Sequence, residues 1–310
     1  MSTTPSIGLP ITKSRRRFIG WTVIGLVSCV ALGASYWLTL PPVDNSREID
    51  LVRRFEGGTL VIAGGGPLPL EIRLRFLDFA GGPSRARLVV IPSFDLQPQQ
   101  AASLLKTWHD LGVKTVQILH ATSRDEANHA AFLQPIKDAT GVWLSGGSQD
   151  WLSQHYVGTL VEDNLQAVIK RGGVVGGTSA GAAAMTKVMI EQGLEFAIEG
   201  VGFDLLRDAV IDQHFLKRSR LNRLMWLMET HPDRIAFGID EGTALVVQVP
   251  FGRIGVIGSS YVITYIPKTN TAERRFESLR QGDQIDLEGL KSGRTRVSSR
   301  SDLDAALSDE

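Results

Sequence analysis

Short apolar runs rich in β-branched residues recur along the middle of the chain, at Thr59 to Ala63, Ala86 to Ile91, Thr115 to Leu119, Val142 to Ser145 and Val174 to Gly176. Each has the length of one buried strand. Between them, apolar residues return with the helical period over Pro98 to Leu111, Arg124 to Ala139 and Asp150 to Lys170. Strand and helix in alternation predict an α/β fold, a three-layer, mostly parallel sheet covered by helices on both faces. Later runs at Ala209 to Ile211, Ile235 to Ile239, Ala244 to Val249 and Gly252 to Ile257 predict further strands, with antiparallel hairpins about Pro250-Phe251-Gly252. Arg218 to Glu229 reads as a helix among them, and the chain shows no internal repeat.

The pattern changes at both ends. Residues 18–40 carry no charge over 23 positions, long enough to cross a bilayer as a transmembrane or signal helix. Lys13, Arg15, Arg16 and Arg17 precede that segment, whereas acids and bases are mixed after it, so residues 1–17 are expected in the cytoplasm and the remainder outside. Ser14-Arg15-Arg16-Arg17-Phe18-Ile19 also resembles a twin-arginine export signal. Both readings place the chain in the cell envelope, membrane-anchored or exported. They leave open whether the helix is retained, cut near Ala31-Leu32-Gly33 or lipidated at Cys29. Residues 41–56 read as a stem, 57–285 as the folded domain, and 286–310 as a polar C-terminal tail.

Composition narrows the function classes. Thirty-three basic and thirty-three acidic residues leave no net charge, which argues against a nucleic-acid partner held through its phosphates. The single cysteine, Cys29, lies in the apolar N-terminal segment, so the folded domain has neither a disulfide framework nor a thiol nucleophile. The six histidines are scattered, with no H-E-x-x-H pattern, and neither a metal nor another cofactor is expected.

The candidate chemistry sits where the apolar run Val174 to Gly176 ends in Gly177-Thr178-Ser179-Ala180-Gly181-Ala182. A serine flanked by glycines between a strand and an Ala-rich helix is how a nucleophile is lifted onto a sharp turn. Backbone N–H groups at the start of the helix, beginning at Ala180, face any developing oxyanion. A base must reach the hydroxyl, and histidine is the usual choice because it titrates near neutrality. Of the six, only His214 stands just past an apolar strand beside polar neighbours, in Asp212-Gln213-His214-Phe215. A third group should orient the imidazole. Glu191, Glu195, Glu199, Asp240 and Glu241 are all available, and spacing does not choose among them. Arg218, Arg220 and Arg223 follow His214 and read as a clamp for a carboxylate or as a solvated basic face.

Taken together, Leu60-Val61-Ile62-Ala63-Gly64-Gly65-Gly66, Val89-Val90-Ile91-Pro92, the Gly146-Gly147 turn, the Ser179 elbow, Asp212-Gln213-His214-Phe215 and Gly238-Ile239-Asp240-Glu241 resemble the cyanophycinase branch of the serine peptidases, which includes aspartyl dipeptidase. The resemblance implies a fold like the class I glutamine amidotransferases, flavodoxin-like in outline, with Ser179 as nucleophile and His214 as base. It implies oxyanion donors at Ala180 and Gly147, and a pocket for a β-linked aspartyl-arginine unit lined by Gln149, Thr178, Asp212, Gln213, Arg218, Arg220 and Arg223. Glu195 lies nearest to the family's usual acid, in a loop that looks shortened here, and Glu241 matches a second recurrent acid. Ser148 stands where cyanophycinases commonly have aspartate. A peptide or polymer substrate and a homodimer are what such a protein would partner.

Three other readings share parts of this pattern. A glutamine amidotransferase normally carries a cysteine at the elbow, where this chain has Ser179, and an α/β-hydrolase esterase places its histidine late, whereas no histidine follows His231. A membrane-tethered binding domain on the same fold, without turnover, is the alternative from a different class.

Overall fold

The computed structural model describes residues 57–268 and 273–292. The segments read as cytoplasmic, membrane-spanning and stem, and most of the C-terminal tail, lie outside them. Among the described residues no helix is long and apolar enough to cross a membrane.

The strands are β1 (Thr59–Ala63), β2 (Arg87–Ser93), β3 (Thr115–Ile118), β4 (Gly141–Gly147), β5 (Val174–Thr178), β6 (Val188–Gln192), β7 (Ile198–Val201), β8 (Ala209–Gln213), β9 (Ile235–Ile239), β10 (Thr243–Gln248), β11 (Arg253–Gly258), β12 (Val262–Ile266), β13 (Arg275–Leu279) and β14 (Gln284–Asp286). The helices are α1 (Leu70–Phe79), α2 (Pro98–His109), α3 (Arg124–Ala127), α4 (Gln134–Asp138), α5 (Gln149–Tyr156), α6 (Leu160–Lys170), α7 (Ala180–Ala183), α8 (Leu221–Thr230) and α9 (Leu287–Ser292). Eight strands form one sheet in the order β14-β11-β10-β1-β5-β4-β2-β3, four form a second in the order β13-β12-β9-β8, and β6 pairs with β7.

The α/β class matches the expectation, and the main sheet is mixed, with a parallel part and an antiparallel part. From β1 through β5, β4 and β2 to β3 the pairings are parallel. On the other side of β1, strands β10, β11 and β14 run antiparallel. The cause is the expected hairpin: Val249–Phe251 makes one 3-10 turn and Gly252, at φ 62°, reverses the chain so that β11 returns along β10.

Alternation along the strands sorts the core onto two faces. Leu60 and Ile62 of β1 join a cluster with Val89, Ile91, Val142 and Leu144, packed under α4 to α7. Val61 and Ala63 join Val90, Trp143 and the residues Ile72, Phe76 and Trp108 of α1 and α2. With both faces covered, all five residues of β1 are buried, which is why the strand reads as an unbroken apolar run. The first cluster also contains Ile211 of β8 and Phe237 and Ile239 of β9, so the two sheets share one core. The far side of the second sheet is closed by Leu224, Leu227 and Met228 of α8.

Three helical expectations change in detail. The run Arg124 to Ala139 is two short helices, because Pro135 has no N–H for a bond to the preceding turn and can only sit near the start of α4. Asp150 to Lys170 breaks at Gly158, which is left-handed at φ 72°, and Thr159 then caps α6 by accepting from the Val161 N–H. The helix expected from Arg218 begins only at Leu221, after Ser219 at φ 52°. Of the residues expected in the tail, Leu287–Ser292 form α9, and Leu287 and Leu290 are buried in the shared core.

Candidate active site

The carboxyl ends of β1, β5 and β4 lie side by side in the main sheet, and the end of β8 in the second sheet meets them. Ser179 follows β5 directly. Its backbone is left-handed, with φ 54° and ψ −112°, and its N–H donates to the Ala63 carbonyl at 3.0 Å. The glycines on either side make this turn possible. A Cβ on Gly177 would lie 2.7 Å from the backbone of Gly181, and one on Gly181 would lie 2.3 Å from the Leu144 carbonyl oxygen. Strain of this kind in a residue with a side chain persists only where the surrounding structure enforces it.

His214 follows β8, is also left-handed at φ 49°, and donates its N–H to the Gly64 carbonyl at 2.7 Å. Its Nε2 lies 2.8 Å from Ser179 Oγ, and its Nδ1 lies 2.6 Å from Glu241 Oε1. Glu241 comes from the short link between β9 and β10. The three side chains thus form one hydrogen-bonded line, with His214 buried and Glu241 a quarter exposed. Burial, which disfavours the imidazolium, holds the His214 pKa below the usual histidine value. The hydrogen bond to Glu241 opposes that shift, while the nearby charges of Arg218 and Arg220 reinforce it.

The Gly64-Gly65-Gly66 turn after β1 is the floor of this arrangement, a role that its sequence alone did not reveal. A Cβ on Gly65, at φ 103°, would lie 2.5 Å from His214 Nε2, and one on Gly66 would lie 2.6 Å from Glu241 Oε2. Gly242 N–H donates to the Gly65 carbonyl at 3.0 Å, which ties the Glu241 link to the same turn. Asp240 anchors the loop after His214 by accepting from the Lys217 N–H at 2.9 Å and the Ser260 hydroxyl at 2.8 Å. Burial alone would raise its pKa, but these bonds hold it below the ordinary carboxylate value.

The remaining expected site residues divide into those that face the site and those that support it. Glu195 is exposed on the hairpin between β6 and β7 and has no bond to His214, so Glu241 and not Glu195 stands third in the line. Ala180 opens α7 and is fully buried, and its N–H has no partner within the helix. Gly147 ends β4 opposite Ser93. Thr178 is half-buried beside Ser179, and Gln149 donates its amide to the carbonyls of Ile190 at 3.1 Å and Glu191 at 2.6 Å.

Arg218 is exposed, but the clamp expected of the other two arginines is turned inward. Arg223 is 2% exposed, and each of its guanidinium nitrogens is engaged. Nε donates to Asp212 Oδ2 at 2.8 Å, Nη2 donates to Asp212 Oδ1, and Nη1 donates to the Gly193 carbonyl at 2.7 Å. Arg220 Nη1 donates to the Gln213 carbonyl at 2.6 Å and Gln213 Oε1 at 2.7 Å, and lies 3.5 Å from Asp212. Burial, together with the neighbouring Arg223 charge, pulls Arg220 down to about 10. Asp212, Gln213 and Arg223 therefore brace the end of β8 and offer no free clamp, because their polar groups satisfy one another inside. Among the described residues no three histidine, cysteine, aspartate or glutamate side chains are grouped to hold a metal ion.

Comparison with known proteins gives a consistent set of likenesses. The model of peptidase family S51 matches residues 60–250. A cyanophycinase of Synechococcus elongatus is 33% identical over 207 residues, covering 64% of this chain and 64% of that protein. A cyanophycinase of Trichormus variabilis is 31% identical over 210 residues, covering 64% of this chain and 68% of the relative. The chain thus spans just under two thirds of the length of the first of these relatives. The crystal structure of a peptidase from an acI-B1 Actinobacterium superposes with a TM-score of 0.61 at 21% identity, over 74% of this chain and 97% of that one, which is a likeness of fold.

Proposed function

The chain belongs to peptidase family S51, and on that footing we propose that it is a serine peptidase that hydrolyses peptide or isopeptide bonds beside aspartate, with cyanophycin-like β-aspartyl-arginine polymer as its substrate class. The observation that carries this reading is the line from Ser179 through His214 to Glu241, at 2.8 and 2.6 Å. Glu241 accepts a hydrogen bond from His214 Nδ1–H and so fixes the tautomer in which Nε2 is free to accept. Nε2 takes the Ser179 hydroxyl proton as Oγ attacks the scissile carbonyl, and backbone N–H groups of Ala180 and Gly147 receive the oxyanion. His214 then passes the proton to the departing amine. Water, deprotonated by the same imidazole, attacks the acyl carbon; the bond to Oγ breaks, the imidazolium returns its proton to Oγ, and the acyl group leaves as the acid.

The test is release of β-aspartyl-arginine from cyanophycin by the full chain, together with labelling of Ser179 by a serine-directed phosphonate. Labelling that disappears in His214→Ala, without release from the polymer, would keep the peptidase and discard that substrate. Failure of both would leave a tethered binding domain without turnover.

Two further expectations follow from the geometry. Gly65→Ala places a methyl group against the imidazole and should lower kcat/KM by about a hundredfold, the order expected when a reacting group is displaced by about an ångström. Gly82→Ala is the matched control, since Gly82 is also left-handed, at φ 84°, but has nothing within 4 Å of the added carbon. Equal losses in both variants would remove the contact with His214 as the cause.

The second concerns pH. Because the His214 pKa is held low, the base stays neutral into mildly acidic solution, and the acid limb of kcat/KM should lie below the usual histidine value. Arg218→Gln removes a charge that repels the imidazolium, so that limb should move to higher pH. A limb that stays in place, or moves down, would contradict the assignment.

A further inference from the structure

On the face of the main sheet that carries α1 and α2, a cavity of about 180 Å³ opens beside the elbow. Phe94, Trp108 and Trp143 wall it, Gly146 and Thr178 form its inner rim, and Arg73 of α1 faces it. The rim is shared with the nucleophile. Thr178 immediately precedes Ser179, and a Cβ on Gly146 would lie 3.5 Å from the Ser179 Cβ.

Arg73 lacks the partners that hold two other arginines of the fold. Arg171 donates to the carbonyls of Ile136 at 2.6 Å and Ala139 at 2.8 Å, and Arg223 holds Asp212. Arg73 has a single long bond, 3.4 Å, from Nη1 to the Leu68 carbonyl, and among the described residues no carboxylate pairs with it. Burial accordingly pulls its pKa below the ordinary arginine value, with no acid to oppose the shift. A guanidinium carries five donors in a fork that matches a carboxylate, and Arg73 brings only one of its nitrogens to a protein acceptor.

We infer that Arg73 and this cavity form a subsite for a carboxylate of the substrate, next to the scissile bond. The inference rests on the serine-peptidase reading of Ser179 and names the chemistry recognised there. The carboxylate is either the free side-chain group of an aspartyl residue or a chain terminus. Both present the same two oxygens to the fork.

Protection of Ser179 from a neutral alkyl fluorophosphonate separates these possibilities. The protectants are N-acetyl-aspartate, its C-terminal amide, N-acetyl-asparagine, and the neutral asparagine diamide, each measured on the full chain. Each protection constant is read against that variant's own unprotected rate. In the parent protein a carboxylate should protect at least tenfold better than the diamide, and the single carboxylate that retains protection identifies the source. Arg73→Gln and Arg73→Leu should erase the difference, and Arg73→Lys should keep part of it, since it retains the charge without the fork.

Equal protection by carboxylates and diamide in the parent, or undiminished discrimination in Arg73→Gln, would overturn the subsite. A parent protein that the probe does not label at all would instead overturn the serine reading beneath it.

Discussion

Ser179→Ala is expected to reduce hydrolysis of the aspartyl polymer by about ten-thousandfold or more, leaving only what binding and the backbone donors supply. The size of the effect follows from the single line of bonds at the site. His214 Nε2 has Ser179 Oγ as its partner at 2.8 Å, so without that oxygen the imidazole has no proton to move and the substrate carbonyl meets no nucleophile. Steady-state release of β-aspartyl-arginine and phosphonate labelling should vanish together. A variant that kept more than about one per cent of the parent rate would show that another group, or water activated directly by His214, performs the attack. Ser179→Gly should be just as inactive but no less stable than Ser179→Ala. The backbone at φ 54° and ψ −112° is unfavourable for alanine and open to glycine. Comparing the two melting temperatures separates the strain of the turn from the loss of the hydroxyl.

The second large effect is on stability. Arg223→Met should destabilise the fold by about 3–5 kcal/mol, because it leaves a buried carboxylate without its principal partner. Asp212 has no exposed side-chain surface, and the nearest remaining cation is Arg220 at 3.5 Å, already committed to Gln213. Against a total of about 5–15 kcal/mol for an ordinary domain, this is a large share, readable by urea unfolding. Replacing both members, Asp212→Leu with Arg223→Met, should recover most of the loss, since two apolar groups leave no orphaned charge. If the double variant is as unstable as the single one, the pair's value lies in shape and not in charge compensation.

Much of this fold was legible in the chain. The run Thr59 to Ala63 is β1 and Ile235 to Ile239 is β9 without a shift of boundary, because buried strands in covered sheets carry continuous apolar residues. Helix α1 was not legible for the opposite reason. Leu70-Glu71-Ile72-Arg73-Leu74-Arg75-Phe76 alternates with the period of a strand, and only packing shows that Ile72, Phe76 and Leu77 are the buried face. Ser179 and His214 stood out because each ends an apolar strand beside polar residues. The choice between Glu195 and Glu241 did not. It depends on β9 lying next to β8 and on the bare Gly65-Gly66 backbone beneath the His214 and Glu241 side chains, neither of which is a local property of either glutamate. The arginine clamp misled in the same way, since the partner that turns Arg223 inward is Asp212, eleven positions earlier on another element.

Ser179 and His214 belong to different sheets that meet in one shared core. Ser179 leaves β5 of the eight-stranded sheet and His214 leaves β8 of the four-stranded one, and backbone hydrogen bonds from His214 N–H to the Gly64 carbonyl and from Gly242 N–H to the Gly65 carbonyl span them at the site. The seam between the sheets is therefore a precision joint. Because Oγ is carried by one sheet and Nε2 by the other, a shift along it changes the gap between them without breaking the ladder of either sheet. Loss of catalytic alignment and loss of secondary structure are then separate events, and the first belongs to the seam.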